Sequence, residues 1–178
     1  MHRKLECQYA RHRSGTPDKI LDRPFTMNYY FCINIGSEAA MAYFDTEKVS
    51  REIESYFGSE DENKKIKQAA IHHYTANEMD KVLEPFAGKP EEFITFLEET
   101  WGWKVAFDRG NGIVIADENK PFCVCPLDDR VRCPKLCSCS EGFAEMMFSR
   151  VFGRPVQATV KASVMRGDKS CVYEVILT

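Results

Sequence analysis

Five of the chain's eight cysteines fall between Pro121 and Gly142, in the run PFCVCPLDDRVRCPKLCSCSEG: Cys123, Cys125, Cys133, Cys137 and Cys139. A sixth, Cys171, lies near the C-terminus in a segment that reads as a strand. Thiolates are soft metal ligands and, where their acidity is raised, nucleophiles. The spacing C-x-C, seven residues, C, three residues, C-x-C departs from the doubled C-x2-C of a common zinc site. It still supplies donors for a tetrahedral Zn²⁺, drawn from Cys123, Cys125, Cys137, Cys139 and Cys171, with Cys133 ranked behind them. An iron–sulfur cluster ranks below zinc. Structural or redox-prone thiols with no ion are the other reading. Six thiols for four positions would leave at least two spare.

Ser138 stands three residues before Glu141, a capping-box pattern that opens a helix at Cys139. A thiol there feels the positive helix terminus and free backbone N–H groups, and Arg132 and Lys135 push the same way. Cys139 is thus expected to be the most acidic thiol, suited to a metal or to nucleophilic attack. A nucleophile needs a base, and His72 and His73 are the only obvious source. They are adjacent on one helix and cannot face one site, so one is expected solvated and one packed. Cys139 and His73 are accordingly the candidate catalytic residues. A two-residue turn at Gly167-Asp168 would pair Val164 with Cys171 and aim Cys171 at the helix starting near Cys139. Glu78 and Glu98 read as solvated helix positions, and Asp128-Asp129-Arg130 as a polar loop. No P-loop, dinucleotide or nucleophile-elbow fingerprint is present.

The scaffold for these residues is read from periodicity. Residues 1–36 form an extension: a polar lead-in over 1–26, then the aromatic run MNYYFCINI, strand or helix start, with Cys32 as a small core residue. The rest, 37–178, reads as one α+β unit, helical over 37–102 and sheet-forming over 103–178, with the cysteine-rich segment at 121–142. Ser37 caps a helix toward Phe44. Asp45 or Thr46 opens another through Phe57, with Val49, Ile53, Tyr56 and Phe57 at helical spacing. Ser59 to Glu62 is a second capping box, opening a helix that runs to about Glu84 before Pro85. Its apolar face is Ile66, Ala69, Ala70, His73, Tyr74 and Asn77. Pro90 starts the next helix, which buries Phe93 and Leu97 and ends at Gly102.

The period then becomes two. Strands are expected at Trp103–Phe107 and Ile113–Ala116, turning at Asn111-Gly112. A helix over 139–152 ends at Gly153, an alternating strand runs from Pro155 to Met165, and a last strand carries Cys171, Tyr173, Val175 and Leu177 inward. The order, helices followed by β-β-α-β-β, is that of an α+β domain with an antiparallel sheet.

The chain has 178 residues, net charge −3, and is 44% hydrophobic and 29% charged, as soluble globular chains are. Nothing points to nucleic acid as a partner. No run of about 18 apolar residues predicts a membrane span, and the basic N-terminus lacks the apolar stretch of a secretory signal. The cytoplasm follows as the expected compartment, where clustered thiols favour a metal or reactive sulfur over disulfides.

The run LCSCSEGFAEMMFSRVFGRPVQATVKASVMRGDKSCVYEVIL resembles the end of the 4-vinyl reductase domain: cysteine at a helix start, helix ending in Gly, long strand, Gly-Asp turn, strand opening with Cys. The C-x-C-P and L-C-x-C-S pieces, with Pro126 and Leu136, are closer to bacterial proteins labelled L-2-amino-thiazoline-4-carboxylate hydrolase-like. The resemblance covers residues 103–178 and implies the ligand-binding fold of the TRAPP transport subunits, often dimeric. It also implies a zinc held by cysteines and a glutamate around the last helix and hairpin. Cys137 or Cys139, and Cys171, match ligand positions, whereas Val160 and Ser163 stand near where a Glu and a Cys are expected. Cys123, Cys125 or Cys133 would complete the set. The first expectation is therefore a domain binding a small apolar or amphipathic molecule beside a cysteine-held structural zinc. The second is a hydrolase of a small cyclic C–N or C–S compound, using a zinc-bound water or Cys139. The third is a homodimeric interaction scaffold.

Overall fold

The computed structural model describes residues 44–178. The expectations for residues 1–26, the run at 27–35 with Cys32, and the helix capped by Ser37 lie outside the described residues. Helix α1 spans Thr46–Tyr56 and opens where the sequence places it: the Asp45 side chain accepts the Lys48 N–H at 2.9 Å. Its buried face carries Val49 and Ile53.

Helix α2 spans Glu62–Ala76, and two expectations for it are corrected. Ser59 forms no capping box. Its carbonyl accepts the Glu62 N–H, while the Glu62 carboxylate reaches back to the Gly58 N–H and pairs with Lys135 at 2.7 Å. Nor does the helix run to Glu84. The Asn77 amide folds back onto the His73 carbonyl at 2.7 Å, and Glu78 turns left-handed at φ 48°. A short helix α3, Met79–Leu83, then runs into a 3-10 turn at Glu84–Phe86. The break turns Met79 and Leu83 into the core, and the Tyr74 hydroxyl locks it by donating to Asp80 at 3.0 Å.

Helix α4, Pro90–Trp101, starts at its proline, buries Phe93 and Leu97, and ends on Gly102 at φ 72°. Strands β1 (Lys104–Asp108) and β2 (Ile113–Asp117) form a hairpin close to the expected one. Its turn is held by Asp108, which accepts the Asn111 backbone and amide N–H groups, and Gly112 alone supplies a positive φ of 65°. Helix α5 spans Cys137–Phe152, strand β3 Val156–Ala162 and strand β4 Val172–Leu177. The four strands form one antiparallel sheet in the order β1-β2-β4-β3, so the architecture is α+β.

The expected strand to Met165 stops early. A register shift falls between Val160 and Ala162, Ser163 turns inward, and Val164–Arg166 form a 3-10 turn. Val164 therefore does not pair with Cys171. The Asp168 carboxylate accepts the Ser163 N–H at 2.8 Å and closes this longer loop.

Helix α5 is clamped on both sides. Toward the sheet, Glu141, Glu145 and Ser149 accept the N–H groups of Val160, Ala158 and Val156 at 3.0, 3.0 and 3.2 Å. Four helical residues advance about 6.0 Å and two strand residues about 6.6 Å, so the acceptors keep step with the open edge of β3. That edge is thereby covered. Toward α2, Lys67 donates to Glu145 at 2.7 Å and to the Ala158 carbonyl at 3.2 Å. Gly142 permits the approach: a Cβ there would overlap the Lys67 carbonyl oxygen and lie 2.9 Å from its carbon. The helix N-terminus, with its cysteines, is thus fixed between α2 and the sheet.

Candidate functional site

Pairing between β2 and β4 continues into the loop that follows. The Glu118 N–H donates to the Cys171 carbonyl at 2.9 Å, and the Lys120 ammonium donates to the Trp101 carbonyl at 2.9 Å. These ties bring Cys123 beside Cys171. From the other direction, a 3-10 turn at Pro134–Leu136 feeds directly into α5. Cys123, Cys125, Cys137, Cys139 and Cys171 are all free thiols. All five line one cavity of about 140 Å³ between the helices and the inner sheet face. Aromatic rings at Trp103, Phe122, Phe143 and Tyr173 form much of its wall, and His73, Glu118 and Ser163 also border it.

The thiols are not equivalent. Cys171 has the Cys123 thiol, the Val164 N–H, the Ser163 hydroxyl and the Glu118 carboxyl as polar neighbours. Led by Cys123, these neighbours lower its pKa to about 6, against the opposing effect of burial. Cys123 is pushed the other way, first by Cys171 and then by burial. The Ser163 hydroxyl also lies 3.1 Å from Cys137 Sγ, and its single proton serves one sulfur at a time. Burial raises Cys137 and Cys125, and pushes Cys139 up to about 12.

Cys139 is therefore not the most acidic thiol. The helix starts two residues earlier, at Cys137, whose N–H is already taken by the Lys135 and Pro134 carbonyls. Arg132 is exposed and faces Asp129 at 3.9 Å, and Lys135 faces Glu62. Neither cation is directed at the sulfur, and burial decides the outcome. Of the histidines, His72 meets Glu52 at 3.1 Å on the outside of α2. The His73 ring is packed between Phe44 and Phe143, with centroids 5.4 and 4.8 Å away, and burial lowers its pKa to about 4. It borders the cavity as a neutral ring. Cys133 is buried and disulfide-bonded, so it offers no free thiol.

The five free thiols line one space. Among the described residues, no three His, Cys, Asp or Glu side chains are placed to hold one ion.

One functional residue escaped the cysteine count. Glu118 is 3% exposed, accepts the Tyr173 hydroxyl on Oε1 at 2.8 Å, and has no hydrogen-bond partner for Oε2. Burial, and then the charge on Cys171, raise its pKa to about 8, so at neutral pH it is mostly a carboxylic acid. The signal was present: Val114, Ala116 and Glu118 alternate on one face, and the first two are core.

Fold and site together define an α+β domain whose helices and antiparallel sheet enclose a thiol-lined, aromatic-walled cavity. The chain belongs to DUF6144, a family of unknown function, whose model matches residues 35–178. No curated protein and no solved structure matches it. Among the described residues no helix is long and apolar enough to cross a membrane.

Proposed function

We propose that this domain binds a small, largely apolar molecule in the cavity between its helices and its sheet. The observation that carries the proposal is an aromatic-walled space bordered by Glu118, a buried carboxyl with one oxygen left unpartnered. Buried polar atoms in folded proteins are nearly all satisfied, so an orphan at a cavity wall suits a ligand with one polar group. Cavities of about 150 Å³ accept benzene, which sets the scale for this one. The helical layer followed by β-β-α-β-β also supports the resemblance to the 4-vinyl reductase domain.

The test is an amide-resolved NMR titration with indole, phenol and benzoate. Shifts are expected around Trp103, Phe143, Cys171 and Tyr173, and Ala144→Leu, which fills the cavity, is expected to abolish them while the fold persists. Shifts elsewhere, or none with any of the probes, would refute the proposal.

A cysteine-held zinc has the right donor chemistry in support, but the thiols would have to turn from their present positions to surround an ion. Metal analysis of protein purified without added metal tests it: well under one zinc per chain is expected, and a stoichiometric content would overturn this preference. Hydrolysis by Cys139 has less support, since that thiol is held neutral and His73 is packed among aromatic rings. Exposed Ile115 and Ile176 on the outer sheet face support a homodimer, which sedimentation of Ile176→Lys beside the parent chain would test.

A further inference from the structure

The cavity wall leaves one polar atom unmet, and its setting limits what can meet it. Among the described residues, Glu118 Oε2 is the only buried side-chain oxygen or nitrogen without a hydrogen-bond partner. Two bonds hold this residue in place. Its backbone N–H donates to the Cys171 carbonyl at 2.9 Å, and its Oε1 accepts the Tyr173 hydroxyl at 2.8 Å. Tyr173 is itself buried, its ring stacked on Trp103 with centroids 6.0 Å apart and planes 10° from parallel. Other polar groups bordering the space have partners inside the protein. The Lys120 ammonium donates to the Trp101 carbonyl at 2.9 Å, and the Asn77 amide to the His73 carbonyl at 2.7 Å. The Ser163 hydroxyl accepts the Met165 N–H at 3.1 Å and meets Cys137 Sγ at 3.1 Å. One oxygen at an aromatic wall is therefore left for the ligand.

A ligand buried here must satisfy Oε2 without bringing polar valences that nothing can meet. An alkylammonium brings three N–H groups, and a hydroxyl that accepts from Oε2 still carries its own hydrogen. A carbonyl oxygen serves only the acid form of Glu118. A pyridine-type ring nitrogen has one lone pair and no hydrogen, so a single bond completes it. It also fits both protonation states. It accepts from the carboxylic acid or, carrying the proton itself, donates to the carboxylate. Its flat ring suits an aromatic wall. We propose that the cavity takes a small heteroaromatic base of the pyridine class, its ring nitrogen hydrogen-bonded to Glu118 Oε2 and its ring against Trp103, Phe143 and Tyr173. The inference rests on the cavity being a small-molecule site and adds the class of ligand. Glu118 selects the nitrogen, and Tyr173 positions the carboxyl.

The experiment titrates the full chain near neutral pH with pyridine, its isostere benzene, phenol and benzoate, and reads affinities from amide NMR shifts around the cavity. On saturation, the resonance of 15N-labelled pyridine is expected to move upfield of its value in water, as a nitrogen accepting from a carboxylic acid does. A downfield move, the mark of a nitrogen that has lost water and gained no donor, would overturn the proposal without any variant. The double variant Glu118→Met/Tyr173→Phe replaces both partners of the buried bond by apolar groups of similar shape. Its pyridine-to-benzene affinity ratio is expected to be about 10-fold below that of the parent chain, the factor for one buried polar atom satisfied. An equal ratio in the two proteins would overturn the proposal, as would a larger loss for phenol or benzoate than for pyridine. In each of these cases benzene held in the cavity leaves the small-molecule reading standing. No binding of benzene or of any other probe would remove both.

Discussion

Glu118→Gln should stabilise the protein, and increasingly so as the pH rises. The carboxyl titrates near 4.5 in an unfolded chain and at about 8 in the fold. Between these values the unfolded state has lost the proton and the native state still holds it. Stability therefore falls with rising pH by about 1.4 kcal/mol per unit, approaching about 5 kcal/mol over the whole interval. Gln keeps the acceptor for the Tyr173 hydroxyl and has nothing to ionise. The gain from the substitution should thus grow by about 2.5 kcal/mol between pH 5 and pH 7. Other titrations run in both proteins and largely cancel in the comparison. His73, lowered to about 4, loses its contribution as pH falls from 6.5 toward 4, the opposite trend. Cys171, lowered to about 6, adds stability as pH rises from 6 toward 9. The assay is urea unfolding of both proteins at the two pH values, with slopes checked for equality. A difference between variant and parent that is the same at both, within about 0.5 kcal/mol, would refute the argument that Glu118 is buried and protonated.

Three further outcomes follow from the clamp on α5 and from the ranking of the thiols. Gly142→Ala should lower the unfolding midpoint by an amount equivalent to about 2 kcal/mol, because its methyl group meets the Lys67 carbonyl, a backbone atom that cannot swing aside. Gly153→Ala, in open space at φ 66°, should cost only the left-handed strain of about 1 kcal/mol; equal costs at the two sites would refute the close crossing. Glu145→Ala strips an acceptor from both Lys67 and the Ala158 N–H, and should cost about 2 kcal/mol in the same assay; a loss under about 0.5 kcal/mol would show that the clamp contributes little. Iodoacetamide at about pH 7 should modify Cys171 before Cys139 on peptide mapping; the reverse order would contradict the hydrogen-bond account of their acidities.

The elements were legible where one local rule decided them. Asp45 at a helix start, Pro90 at a first turn, Gly102 and Gly153 at helix ends, and the alternation of β3 and β4 all act within a few residues. Legibility failed where a tertiary contact outvoted the local pattern. Helix α2 carries no proline until Pro85, yet it breaks at Asn77, because a straight continuation would leave Met79 and Leu83 outside the core. The strand after Val160 alternates in sequence through Val164, but Ser163 is drawn inward by Cys137 and by Asp168. Glu62 looked like the partner of Ser59, yet it is claimed by Gly58 and by Lys135, a residue of the distant cysteine segment. The cysteines themselves were legible as a cluster but not in rank, since rank depends on what each sulfur is hydrogen-bonded to.

That rank bears on what the cluster is for. A closed zinc site gains when its thiols are all readily ionised and directed at one point, because each must give up its proton to the metal. Here burial opposes ionisation at Cys125, Cys137 and Cys139, and only Cys171 is favoured as a thiolate. The same proximity pushes Cys123 the other way. Cys171 is thereby set apart, whereas Cys125, Cys137 and Cys139 are buried thiols that behave as apolar wall. The clamp of α5 by Lys67, Glu141 and Glu145 serves that division. It fixes the helix carrying the wall thiols against the sheet, while the loops bearing Cys123 and Cys171 meet across the other end of the same space.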